Sequence, residues 1–351
     1  MRVALLIVFI RNCGVAELIE PSLRTSISAK YEQFLPPRYV SFLILTCLTL
    51  ILSSPLYAGE TIRIASQNMN RFFDNIDNGK NEKISSESEF KAKVEIATTT
   101  IIEQFSKPDI IALQEVENTN VLSNVATALR NRSGARYQAV LLGGNDVSAI
   151  NTGFLVKRTV KIKSVKQLFK QQRLKLDQSL LFSRPPLYLE ACKGPVCLSL
   201  LNLHLRSMRG IRSSAKGHRV RLKRLEQASI IARWIEQFQQ TRPKSLLLVL
   251  GDLNGLTPAD SYIDVVGTIL GKPDNSNTEL QAVDWISNDL IDLTRHIPRK
   301  NRFSYIYRNK KQILDYMLAS SLLKPRLDHI SFSRIDYDFS DHAGLIAVLK
   351  W

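Results

Sequence analysis

Four apolar runs in this chain stop on the same kind of residue. IRIASQN ends on Gln67 and Asn68, DIIALQE on Gln114 and Glu115, LSLLNLH on Asn202 and His204, and LLLVLGDLN on Asp252 and Asn254. Short apolar runs of this length read as buried strands. Their terminal residues are groups that ligate hard metals or move protons. Ligands of open α/β sheets sit at the carboxyl ends of strands, so the recurrence predicts one site assembled from several strand ends. A single polar strand end is an ordinary solvated residue; four such ends point to a shared site.

Between these runs the pattern alternates with helical periodicity. Phe90, Val94, Ala97, Ile101 and Phe105 recur at spacings of four, three, four and four, marking an amphipathic helix stopped by Pro108. Leu122, Val125, Ala126 and Leu129 mark a second helix, and Leu225, Ala228, Ile231, Ala232, Ile235 and Phe238 a third. Strands are expected over 61–66, 109–113, 137–142, 152–156, 160–168, 187–191, 196–203, 246–250, 303–307, 313–319 and 345–349. No repeat or low-complexity stretch interrupts them, so residues 59–351 read as one large α/β domain.

The first 58 residues read differently. Arg38 precedes a charge-free run, Val40 to Leu52, followed by Pro55 and a small-residue exit at Ala58-Gly59. That is the layout of a secretory signal over about 38–58, in a segment too short to span a bilayer, which needs about 20 apolar residues. An exported, secreted or periplasmic protein follows. In an oxidising compartment Cys192 and Cys197, at either end of a Gly-Pro turn in CKGPVC, are expected to form a disulfide. With no second Cys pair or nearby His, a zinc site there is disfavoured.

The ordered words SQNMNRF (66–72), ALQEVEN (112–118), NLHLRS (202–207), LGDLNG (250–255), LDYMLAS (314–320) and SDH (340–342) resemble those of the endonuclease/exonuclease/phosphatase superfamily, the deoxyribonuclease-I-like proteins. FSRPPL (182–187) followed by NLHLRSMRG (202–210) looks most like its secreted bacterial nuclease branch. The resemblance runs from about residue 61 to the end of the chain. It implies two packed mixed β-sheets flanked by helices, a four-layer α/β sandwich.

Carried over residue by residue, the resemblance makes Glu115 the central carboxylate ligand of a divalent cation, with Asn68 and Asp341 beside it. Oxygen ligands without a Cys or His cluster fit Mg²⁺ or Mn²⁺, with Ca²⁺ a further candidate. His342, oriented by Asp315, would activate water or stabilise the transferring phosphoryl group. Asp252 and Asn254 would position the attacking water or leaving oxygen, and His204 would donate to a phosphate oxygen or the leaving group. Arg184 and Arg206 would bind substrate phosphate, as a guanidinium fork matches its oxygens. Two departures stand out. Asn70 replaces a second carboxylate common in the family, and Ala343-Gly344 follow SDH where Pro is usual, which predicts a looser backbone there.

The net charge of +16 favours an acidic partner. Three stretches, 147–176, 191–225 and 293–314, hold eight, nine and seven Lys or Arg with no Asp or Glu, and the last interleaves Phe303, Tyr305 and Tyr307. Blocks of this kind hold a polyanion through phosphate contacts. His218, His296 and His329 read as surface residues, and Asp260 and Asp264 as a solvated face. The expectation is a monomeric, secreted, metal-dependent nuclease acting on DNA in preference to RNA. An exported sphingomyelinase-like phosphodiesterase and a non-catalytic nucleic-acid-binding protein on a nuclease scaffold are the alternatives.

Overall fold

The computed structural model describes residues 60–351, so the expected leader and signal lie outside the described residues. The chain runs β1 (Thr61–Phe72), α1 (Glu87–Glu103), β2 (Ile110–Val116), α2 (Thr119–Ser133), β3 (Tyr137–Leu141), β4 (Asn151–Lys157), β5 (Lys161–Gln167), β6 (Leu187–Lys193), β7 (Val196–His204), α3 (Gly217–Thr241) and β8 (Leu246–Asp252). It continues through α4 (Val265–Leu270), β9 (Ile291–Asp292), β10 (Tyr305–Tyr307), β11 (Lys310–Gln312), β12 (Asp315–Ala319), β13 (Leu327–Phe332) and β14 (Leu345–Lys350).

Two six-stranded sheets result, ordered β13-β14-β1-β2-β4-β3 and β5-β6-β7-β8-β12-β9, with β10 and β11 as a separate hairpin. Each sheet has one parallel pair at its centre, β1 with β2 and β7 with β8, and is antiparallel elsewhere.

Alternation along each strand decides which layer a side chain enters. Ile110 and Ala112 face the space between the sheets, with Ile64, Leu198, Leu200, Leu248, Leu250 and Met317. Their neighbours Ile111 and Leu113 turn outward to meet Phe90, Val94 and Ile101 of α1 and Leu122 and Leu129 of α2. On the other sheet Leu201, Val249 and Leu318 turn outward against Ala228, Ile231 and Ile235 of α3. The layers are helix, sheet, sheet, helix, the sandwich the sequence implied. α1 begins at a capping box, in which Ser86 accepts from the Glu89 amide and Glu89 accepts from the Ser86 amide.

Several boundaries differ from the sequence reading. β1 runs beyond Ser66 to Phe72 because its pairing with β2 resumes after an irregularity between Asn68 and Phe72. β13 was not expected: exposed Asp328 and His329 interrupt its apolar pattern. β10 falls within the strand expected over 303–307, but β11 and the turn that joins them, with Arg308 and Asn309 in left-handed conformations, were not expected. The Cys192–Cys197 disulfide is formed and closes the β6–β7 hairpin, as expected. Asp264 is no solvated residue: it is buried, caps α4 through the Gly267 amide, and also accepts from the Asp274 amide. His218, His296 and His329 are exposed.

Candidate active site

The inner rows of the central strands begin apolar and turn polar toward one end. On β2 the row Ile110, Ala112 continues to Gln114; on β7 the row Leu198, Leu200 continues to Asn202 and His204; on β8 Leu248 and Leu250 lead to Asp252. Register then sets these ends side by side. His204 pairs with Asp252 in the parallel β7–β8 ladder, and Asp252 pairs with Asp315 in the antiparallel β8–β12 ladder. One row therefore carries an imidazole and two carboxylates on neighbouring strands. Gly251 permits this geometry, since its φ of 125° suits glycine and a Cβ there would run into the Leu203 carbonyl.

The opposite sheet delivers Asn68 and Glu115. Both β1 and β2 are irregular here, with Asn70, Arg71 and Glu115 at φ of 47°, 56° and 58°. Left-handed non-glycine residues cost about 1–3 kcal/mol each and cluster at functional sites. The break at Glu115 re-aims its side chain, as bulges beside active sites do. Asn68 Nδ2 then donates to Glu115 Oε1 at 3.2 Å and to Asp252 Oδ2 at 3.1 Å, so one amide joins carboxylates from both sheets. Glu115 also accepts from the Arg71 amide at 2.9 Å.

His342 Nδ1 donates to Asp315 Oδ2 at 2.7 Å, and both residues are buried. Burial pulls the imidazole toward its neutral form, but the Asp315, Asp252 and Asp341 charges outweigh it and raise its pKa to about 10. His204 is the opposite case: burial, with Arg184 and His342 nearby, holds it well below the ordinary range, so it is neutral. Its Nε2 lies 3.7 Å from Glu115 Oε1 and 3.6 Å from Asp252 Oδ2, too far for hydrogen bonds. Burial raises the Asp252 carboxyl above the usual range.

Three observations fit a divalent cation. Ligand atoms of Glu115, His204 and Asp252 all lie within 4.8 Å of one another, as do those of Asp252, Asp315 and His342. The buried His204 Nδ1 and Asp315 Oδ1 have no hydrogen-bond partner. The donors are oxygen-rich, as Mg²⁺ and Mn²⁺ require. Asp341 is half-buried and makes no hydrogen bond through its side chain among the described residues; its charge acts on Lys93, Tyr305 and His342. The segment 340–342 is tied to β1: Ser340 Oγ donates to the Asn68 carbonyl at 2.7 Å, and Gln67 Nε2 to the His342 carbonyl at 3.2 Å. Ala343 and Gly344 are not loose. Their amides donate to the Ser304 carbonyl and Ser333 Oγ, and a Cβ on Gly344 would clash with Phe105.

The structure brings Asn68, Glu115, His204, Asp252, Asp315 and His342 together, with Asn254 at the end of β8, where Asn254 Nδ2 donates to the Leu205 carbonyl. Arg184 and Arg206 depart from expectation. Arg184 spends its guanidinium on Asp146 at 2.9 Å and on the His204 and Leu205 carbonyls, which makes it a strut for the exit of β7 rather than an open phosphate fork. Arg206 lies beyond the end of β7, so strand alternation does not align it with His204, and it folds back onto Ser207 Oγ and the Arg209 carbonyl. The terminal Gln114 and Asn202 also differ: they are buried crosslinks between the sheets.

The 191–225 block is largely consumed within the fold. Arg219 pairs with Asp177, Arg221 with Glu279, and buried Arg224 donates to the Arg206 and Asn254 carbonyls. Lys93, which the sequence reading did not single out, and Tyr305, noted there only as an aromatic of the 293–314 block, stand at the site. Lys93 of α1 donates to the Asn70 carbonyl at 2.7 Å; burial draws its pKa down to about 8 against the pull of Glu115 and Asp341. Its signal was available, since it lies three residues after Phe90 and four before Ala97, within the apolar stripe. Tyr305 packs its ring 5.0 Å from the His342 imidazole.

No protein-family model and no curated protein matches this chain. Solved structures do. A truncated TDP2 from Caenorhabditis elegans superposes with a TM-score of 0.52 at 17% identity, over 83% of this chain and 98% of that one. The human nocturnin catalytic domain with bound sulfate gives 0.51 at 14% identity, over 83% and 95%. An endonuclease/exonuclease/phosphatase from Bacteroides vulgatus gives 0.53 at 13% identity, over 83% and 98%. With its two mixed six-stranded sheets between helices, this chain has the fold of the endonuclease/exonuclease/phosphatase, or deoxyribonuclease-I-like, proteins.

Proposed function

We propose that this protein is a divalent-metal-dependent phosphodiesterase that hydrolyses nucleic acid, DNA in preference to RNA, and that it acts after export. The observation that carries the reading is the row His204–Asp252–Asp315, completed by His342 and faced by Asn68 and Glu115 from the other sheet. Glu115, Asn68 and Asp341 would hold the cation, which supplies Lewis-acid polarisation of a phosphoryl oxygen when bound. Asp315 fixes the His342 ring through Nδ1, leaving Nε2 to exchange a proton with water or the leaving oxygen. Neutral His204 keeps one ring N–H, which would donate to a phosphate oxygen. Asp252 and Asn254 orient the attacking water beside them. The family name of the Bacteroides structure supports phosphoester chemistry, and exposed Arg209, Arg212, Arg308, Lys310 and Lys311 support a polyanionic substrate. The disulfide and the apolar run at 40–52 support export.

The test is hydrolysis of plasmid, linear and single-stranded DNA, RNA and sphingomyelin, each with Mg²⁺, Mn²⁺, Ca²⁺ or chelator. Cleavage of DNA that is lost in chelator and in Glu115→Gln, with an unchanged thermal transition, is the expected result. Full activity in chelator would overturn the metal mechanism, and turnover of sphingomyelin alone would move the assignment to lipid.

A further inference from the structure

We propose that the β10–β11 hairpin is a stacking arm for an unpaired base next to the scissile phosphate, so that the preferred substrate is a single strand or a frayed end. This rests on the nucleic-acid reading above and adds a substrate class to it.

The hairpin is anchored in the site. Tyr305 forms an isolated β-bridge with His342, and its ring lies 5.0 Å from the imidazole. Two residues on, strand alternation brings Tyr307 to the same face, roughly 7 Å further out at about 3.4 Å per residue. A phosphate held at His342 therefore has its neighbouring base within reach of Tyr307. Tyr307 is 49% exposed, so its ring is open to a ligand.

Cations accompany the rings. The Arg308 guanidinium stands 5.3 Å from the Tyr307 centroid, and Lys311 Nζ stands 4.2 Å from that of Phe303. Arg308, Lys310 and Lys311 are exposed, and none forms an ion pair among the described residues. This contrasts with the spent cations of α3. The two-residue turn has φ of 46° at Arg308 and 61° at Asn309, the tight left-handed geometry that holds hairpin strands in fixed register. The left-handed backbone at Arg308, a residue without the local side-chain bonding that eases Asn into this region, adds strain at the tip.

Aromatic rings interleaved with unpaired cations match single-stranded nucleic acid, whose bases offer a free face and whose phosphates follow the positive charge. In an intact duplex the base faces are covered by their neighbours. A lipid-inserting tip would instead present Trp, Phe or Leu to the acyl boundary, and residues 307–311 contain none of these.

The experiment measures binding of metal-free wild type to a fluorescein-labelled mixed-sequence DNA 20-mer, as single strand and as duplex, by anisotropy at fixed salt. Binding of the single strand about tenfold tighter than the duplex is expected. Tyr307→Ala should lose about tenfold on the single strand alone, and Tyr307→Trp should restore it, which also shows that the tip tolerates substitution. Equal affinity for both forms with no effect of Tyr307→Ala would overturn the proposal. So would tight binding of phosphatidylserine vesicles that Tyr307→Ala abolishes. Hydrolysis of bis(p-nitrophenyl) phosphate by wild type with Mg²⁺ or Mn²⁺ tests the phosphodiesterase reading separately, because that diester has no base to stack.

Discussion

Gln114 of β2 and Asn202 of β7 are joined across the space between the two sheets, Gln114 Nε2 donating to Asn202 Oδ1 at 2.8 Å. Asn202 Nδ2 returns two bonds to the first sheet, to the Leu113 and Gly153 carbonyls at 3.1 and 2.9 Å. Both side chains are fully buried directly behind the row His204–Asp252–Asp315. Asn202→Leu keeps the branching at Cγ but strands these partners, and unsatisfied buried groups cost about 1–3 kcal/mol each. The expected loss is about 2 to 4 kcal/mol, read from denaturant midpoints, and a neutral outcome would mean water replaces the amide.

Asp315→Asn tests whether the carboxylate orients His342. The substitution preserves shape but removes the charge and replaces one carboxylate oxygen by an NH2 donor, so the bond that fixes Nδ1 is weakened. Turnover should fall roughly a hundred- to ten-thousand-fold, while DNA affinity of the metal-free protein stays at the wild-type value. Loss of affinity with turnover retained would make the pair a substrate clamp.

Lys93 places an ammonium beside the carboxylates that would hold the cation. Lys93→Met removes that competing charge, so half-saturation by Mg²⁺ should fall about three- to tenfold while KM for DNA rises. A purely structural role would shift the melting transition and leave the metal titration where it was.

Lys223 supplies a pH signature away from the site. Its Nζ donates to the Leu180 carbonyl, and burial, helped by Arg219, Arg206 and Arg184, lowers its pKa from 10.5 to about 8. Below pH 8 both folded and unfolded chains are protonated and the penalty for burying charge is carried in full. Between 8 and 10.5 the unfolded chain keeps its proton and the folded chain has lost it, so stability rises with pH. Wild type should therefore gain on Lys223→Met as pH is raised through this window, in urea midpoints measured at half-unit steps. A constant difference would mean that Lys223 titrates normally.

The strand ends were legible because period-two alternation is a local property, and Asn202, His204 and Asp252 followed from it, whereas Asp315 and His342 came only from the family resemblance. The bulges were not, since Asn70 alone is of a type that favours the left-handed region, while Arg71 and Glu115 adopt it against their preference. Charge blocks misled for a related reason. Arg219 finds Asp177 and Arg221 finds Glu279, partners 42 and 58 residues away, so counting cations along the chain overstated the surface available to a polyanion. Lys93 was hidden among apolar positions, where a lysine is easily read as a helix edge. Asp264 looked solvated because the sequence does not show that α4 begins on it.

The tie between residues 66–68 and 340–342 has a consequence during synthesis. β14 lies between β13 and β1, pairing Ser66 with Leu345 and Thr61 with Lys350, and Ser340 closes onto the Asn68 carbonyl 272 residues away. While residues 340–350 are still within the ribosomal exit tunnel, β1 lacks one neighbour and the row lacks both Asp341 and His342. Contacts this distant in sequence also form slowly. Until β14 is free to pair with β1, a nascent chain therefore carries only part of the site.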